Sequence, residues 1–150
     1  MTMTSRKQRV RRRGVAAVEM ALVAPVLFMF VFAIIELSRL GMVTQALTNA
    51  ARDGCRVAVL PNNVTSDVQT RLNTSLTSFG VSPGSVTAVD TDPGTQGAWI
   101  MPSNWATASG GTAVTLTVRL PFTQVSWLPS PFFLSSAVVT GSATLSSERP

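Results

Sequence analysis

Arg12-Arg13-Gly14-Val15-Ala16-Ala17-Val18-Glu19-Met20-Ala21-Leu22-Val23-Ala24-Pro25-Val26-Leu27-Phe28-Met29-Phe30-Val31-Phe32-Ala33-Ile34-Ile35 is the stretch on which the reading of this chain turns. Before Gly14 stand six basic residues (Arg6, Lys7, Arg9, Arg11, Arg12, Arg13) and no acid. From Met20 to Ile35 run sixteen residues without a charge. A helix crossing a hydrocarbon layer of ~30 Å needs ~20 residues, so sixteen alone is short. Extending back to Val15 gives 21 residues with one acid, Glu19, inside. Such a helix spans a bilayer only if Glu19 lies near an interface or is paired, and an acid in that setting marks a functional position by default.

The charge pattern fits a membrane better than a nucleic acid. Of the net charge of +5, the leader contributes +6 and everything after it −1. The high pI therefore comes from one short tail abutting an apolar run, not from a basic patch on a folded surface, and no nucleic-acid partner is expected. Arg39, Arg52 and Arg56 are spread thinly downstream. The positive-inside rule then puts the N-terminus in the cytoplasm and sends the C-terminal body across the membrane.

Composition narrows the chemistry. The chain has no His, no Tyr and one Cys, which excludes Ser-His-Asp and Cys-His nucleophiles and zinc sites built from Cys and His. A single cysteine forms no internal disulfide, so an exported domain must rest on its own core. The seven carboxylates are scattered. No catalytic residue, no metal site and no cofactor is expected.

A basic leader and an apolar run fit several signals. A secretory signal needs a small-x-small site after the run, where Ile34-Ile35-Glu36-Leu37-Ser38-Arg39 stands instead. A twin-arginine signal could use Arg12-Arg13, but Glu19 is out of place in it. An uncleaved anchor explains the topology but neither Gly14 nor Glu19. Those two residues, a Gly after the basic leader and a Glu five positions on, resemble the prepilin cleavage signal of the type IV pilin superfamily. From Arg13 to about Ala58 the chain resembles more narrowly the TadE-like family of tight-adherence pseudopilins. The residues that carry this are Gly14 to Leu22, Pro25, Ile35-Glu36-Leu37-Ser38-Arg39-Leu40, Gln45 to Gly54, and Arg56. Cys55 departs from the family, which usually has a small residue there.

The resemblance implies cleavage between Gly14 and Val15 by an aspartyl prepilin peptidase, and it implies other pilin or pseudopilin subunits as partners. Glycine lets the backbone enter a peptidase site closely. The new amino group at Val15 could pair with the Glu19 carboxylate of a neighbour, offsetting the cost of an acid in lipid. Without such a partner Glu19 is an interfacial carboxylate favoured by the helix dipole. Pro25 removes one backbone hydrogen bond and is expected to kink the helix.

Beyond the span, Leu40, Val43, Leu47, Ala50, Gly54 and Val57 recur at spacings of three and four, which extends the helix to about Val59. Gln45, Asn49, Arg52 and Arg56 fall on another face. Pro61-Asn62-Asn63 ends the helix. A second helix, capped by Thr65 or Ser66, runs from Asp67 to Phe79 with Val68, Leu72, Leu76 and Phe79 as its stripe and Gly80 closing it. Thr112 to Leu120 alternates as a strand, and Ser85 to Val89 and Ala137 to Leu145 are weaker strands.

The expected fold is α+β and pilin-like: a long N-terminal transmembrane and stalk helix packed on a small antiparallel sheet. Its parts are a leader (1–14), a membrane helix (15–37), a helical extension (38–60) and an extracytoplasmic head (61–150) of a bacterial inner-membrane protein. The rest reads as loops. Asp90-Thr91-Asp92-Pro93-Gly94 starts like a calcium loop, but the acid expected at its twelfth position is Met101, so a plain turn is the reading. Trp99, Trp105, Trp127, Phe122, Phe132 and Phe133 are core or an exposed binding surface. Two rivals to the pseudopilin remain: an uncleaved anchor with a binding head, and an enzyme using Asp90 and Asp92 as a carboxylate pair.

Overall fold

The computed structural model describes residues 5–81, 88–89, 92, 94, 96–127 and 134–149, with the backbone alone for 5–13, 88 and 89. The chain divides into two compact units, Met1–Ile35 and Glu36–Pro150.

Helix α1 (Ser5–Val59) enters both units. It begins ten residues before Val15, because arginine is a good helix former and nothing in the leader breaks the turn. In the first unit every described side chain is exposed or half-exposed, including Leu22, Val26, Phe28 and Phe30. The helix runs through Pro25.

In the second unit α1 buries Val43, Ala46, Leu47, Ala50, Ala51, Gly54, Cys55, Ala58 and Val59. These alternate at steps of three and one, a face wider than the single expected stripe. The width has a cause: α1 meets both the sheet and a second helix, α2 (Thr65–Ser78). A Cβ at Gly54 would lie 2.6 Å from Leu116 Cδ2 of the sheet and 3.0 Å from Leu72 Cδ2 of α2. Gln45, Asn49, Arg52 and Arg56 are exposed, as their spacing predicts.

The end of α2 fits its sequence better than the start. Val64, not Thr65 or Ser66, is the N-cap, and no side chain caps it. Asp67 does part of that work, its carboxylate accepting from the Val64 N–H at 3.0 Å. At the C-terminus Gly80 has φ +72°, the Val81 N–H bonds to Leu76 O, and the Gly80 N–H bonds to Thr77 O. This is a Schellman closure, with Val81 and Leu76 both buried. Phe79 departs from its expected stripe and is 45% exposed, since the apolar contact of such a closure falls to the residue after the glycine.

Four strands form one sheet in the order β1 (Ala88–Val89), β2 (Gly97–Met101), β3 (Ala113–Pro121), β4 (Val138–Ser146). The last three are antiparallel, and β1 is a two-residue edge strand parallel to β2. The α+β expectation holds, with two corrections. Of the strand read at Ser85 to Val89, Ala88 and Val89 pair in parallel, and its earlier residues lie outside the described ones. The stretch Gly97–Met101, read as loop, is a strand with Gly97 to Ile100 all buried. With both faces covered it shows no alternation, which is why it escapes a period-two search.

β3 alternates as expected, with Val114, Leu116, Val118 and Leu120 fully buried toward the helices and Thr115, Thr117 and Arg119 half-exposed on the outer face. Across the inner face Ala98, Val118 and Gly141 lie in register. At the Gly141 end of this row α1 approaches the sheet closely: a Cβ at Gly141 would lie 2.4 Å from the carbonyl carbon of Leu47.

The chain's last described residues close α1. Arg149 is buried and donates from Nη2 to Ala58 O at 3.0 Å, from Nε and Nη2 to Leu60 O at 3.3 and 3.1 Å, and from Nη1 to Trp105 O. The Glu148 N–H bonds to Val59 O at 3.1 Å. Carbonyls at a helix end have no partner within the helix, and a cation there also favours the helix dipole.

Candidate functional site

The sequence places the site at the junction of leader and apolar helix, and the geometry there is simple. Gly14, Val15, Glu19 and Pro25 all lie within α1 and are exposed. A Cβ at Gly14 would meet nothing within 4 Å. The fold therefore has no packing reason for glycine at this position, and glycine inside a helix costs ~1 kcal/mol relative to alanine. Gly41 is equally unhindered, whereas a Cβ at Gly141 would meet the backbone of Leu47 and Thr48, and one at Gly54 the side chains of Leu116 and Leu72. Glu19 stands among exposed apolar side chains, and no ion pair to it occurs among the described residues. Helix geometry puts Val15 and Glu19 one turn apart on the same face.

Among the described residues one helix, Gly14–Val59, is long and apolar enough to cross a membrane, and its apolar window has no buried residue. That distinguishes it from the core helix of a globular domain, which hides its apolar face.

The described residues of the second unit gather no reactive cluster. Among the described residues no group of three or more His, Cys, Asp or Glu comes together. Asp92 accepts from the Gly94 N–H at 2.8 Å, a turn, and pairs with Arg119 at 3.3 Å; Asp90 lies outside the described residues. Asp53 ties α1 to α2, accepting from the Ser75 hydroxyl at 2.7 Å and facing Arg71 at 3.5 Å. Cys55 is fully buried and donates to Val114 O at 3.3 Å. Burial pushes its thiol pKa up, and contacts with the Leu116 and Leu145 backbone pull the other way. Kept as a thiol in the core, it packs like the small residue the family favours.

The aromatic residues divide. Trp105 and Phe122 are core, and Trp99 is buried on the outer sheet face beneath the Arg119 guanidinium, 4.4 Å from its ring centre. Trp127 is exposed, with Arg39 over its ring at 4.8 Å. Phe132 and Phe133 lie outside the described residues. The contacts of Arg39 and Arg149 have no local signal in the sequence, because each bonds a carbonyl more than 80 residues away along the chain.

The segment that carries the junction, the apolar helix and the small-residue face is also the one that matches a known family. Residues 14–56 are TadE-like. They match the family described as TadE-like protein, and the match begins at Gly14 itself. No curated protein and no solved structure matches the chain. The TadE-like match covers this N-terminal segment. It ends at Arg56, so α2 and the sheet lie beyond it.

Proposed function

We propose that this chain is a TadE-like pseudopilin: a non-enzymatic membrane component of tight-adherence pilus assembly or a related secretion apparatus. A prepilin peptidase cuts after Gly14 and removes the basic leader. The mature protein spans the bacterial inner membrane once, with its sheet-bearing head outside the cytoplasm. The Val15 amino group then pairs with Glu19 of a neighbouring subunit, and Pro25 bends the span. The observation that carries this reading is the TadE-like match starting at Gly14, a helical glycine with no packing role, at the change from basic to apolar sequence.

The mature N-terminus is the deciding measurement. Mass spectrometry of the N-terminal peptide from native membranes should find Val15 first. Recovery of the intact leader in peptidase-competent cells would leave an uncleaved anchor as the better account. Topology is tested separately. An alkaline phosphatase fused at Pro150 should be active and a cytoplasm-dependent reporter at the same point silent; the opposite pattern would overturn the orientation.

A further inference from the structure

We propose that Trp127 and Arg39 form a membrane-interface contact, a patch of the second unit that meets the lipid headgroup layer. The inference rests on the membrane span proposed above. Trp99 and Trp105 are buried at 8% and 1% exposure, but Trp127 is 66% exposed. Its position is fixed all the same. Arg39 donates from Nε to Val125 O at 2.8 Å and lays its guanidinium over the Trp127 ring. These contacts tie the segment carrying the indole to one turn of α1.

That turn is where the apolar run gives out. Arg39 follows Ile35, the last residue of the uncharged stretch, by four positions, and between them Leu37 is 65% exposed. The fold thus brings an exposed indole, from a segment whose Val125 lies 86 residues further along the chain, to the turn at which a spanning helix would leave hydrocarbon. The chemistry of both groups suits that depth. An indole has an apolar body and one N–H that needs a polar partner, which is why tryptophan collects at bilayer interfaces. A guanidinium keeps its stem on apolar surface and offers paired donors to phosphate oxygens. The pair would hold the head against the bilayer on the side it emerges from.

The test uses the full chain reconstituted in phospholipid vesicles containing anionic lipid, with lipids brominated near the carbonyls or near the chain ends. The emission difference between wild type and Trp127→Phe isolates Trp127, and the variant removes an exposed ring without touching the core. Carbonyl-level bromine should abolish most of this emission and chain-end bromine much less. Arg39→Gln should weaken the quenching; equal quenching in that variant would remove Arg39 from the patch. Flotation of the chain with the vesicles while Trp127 stays unquenched would overturn this proposal alone and point to a soluble partner. Failure to float would overturn the span as well.

Discussion

Glu19→Ala should abolish crosslinking of the mature protein to its neighbours while leaving it inserted in the membrane. The substitution removes an acid from the apolar window, and translocon scales put an acid at mid-helix at ~2.5–3.5 kcal/mol, less toward the interface. Insertion should therefore be unchanged or improved. Assembly should fail because the amino group freed at Val15 would keep an unpaired charge in lipid. The proposed scissile bond lies on the other side of Val15, so leader removal should continue. Crosslinking, insertion and processing are followed in the same cells. Normal crosslinking by an inserted, processed Glu19→Ala protein would reduce Glu19 to an interfacial carboxylate.

Gly141→Val should destabilise the second unit by a large share of its stability, ~1–3 kcal/mol or more. The added Cβ would sit 2.4 Å from the Leu47 carbonyl carbon and 2.5 Å from the Thr48 nitrogen. These are backbone atoms of a helix packed in the core, so no side-chain rotation relieves the clash, and α1 must lift from the sheet. Overpacking a core costs ~1–3 kcal/mol and sometimes more, against a total of ~5–15 kcal/mol for a typical domain. A drop in melting temperature of roughly 10 °C follows for a domain of this size, read by circular dichroism of the detergent-solubilised chain. Gly41→Ala is the control, since its Cβ meets nothing and helix propensity improves by up to ~1 kcal/mol. A Gly141→Val protein melting with the wild type would mean that α1 does not approach β4 so closely.

The contrast among these glycines shows what the sequence reveals. Gly14 and Glu19 are legible because their meaning lies in spacing along one helix, next to a change from basic to apolar residues. The apolar stripe of α1 is legible for the same reason, but the buried Ala46, Ala51, Cys55 and Ala58 are not, because α1 meets both the sheet and α2 and so buries a face wider than one stripe. Gly141 gives no local signal: its necessity comes from a helix more than 90 residues earlier. β3, wet on one face, alternates visibly, while β2, covered on both, reads as an apolar fragment among loop residues. Trp127 and Trp105 look alike in sequence, and only the fold separates the exposed ring from the buried one.

The closure of α1 by Arg149 bears on the order of events during export. The carbonyls it satisfies belong to residues 89 and 91 positions earlier, and β4, which packs on α1 at Gly141, comes only just before it. On the proposed topology the helix end emerges first and waits for the 89 residues from Leu60 to Arg149 before its bonds are met. Contacts this distant close slowly, since loop-closure entropy is spent before they form. The head therefore cannot finish folding while its C-terminal strand is still in the translocation channel. Completion of the fold would report that the entire domain has crossed, and a subunit stalled partway would expose the small-residue face of α1 to chaperones and proteases outside the cytoplasm.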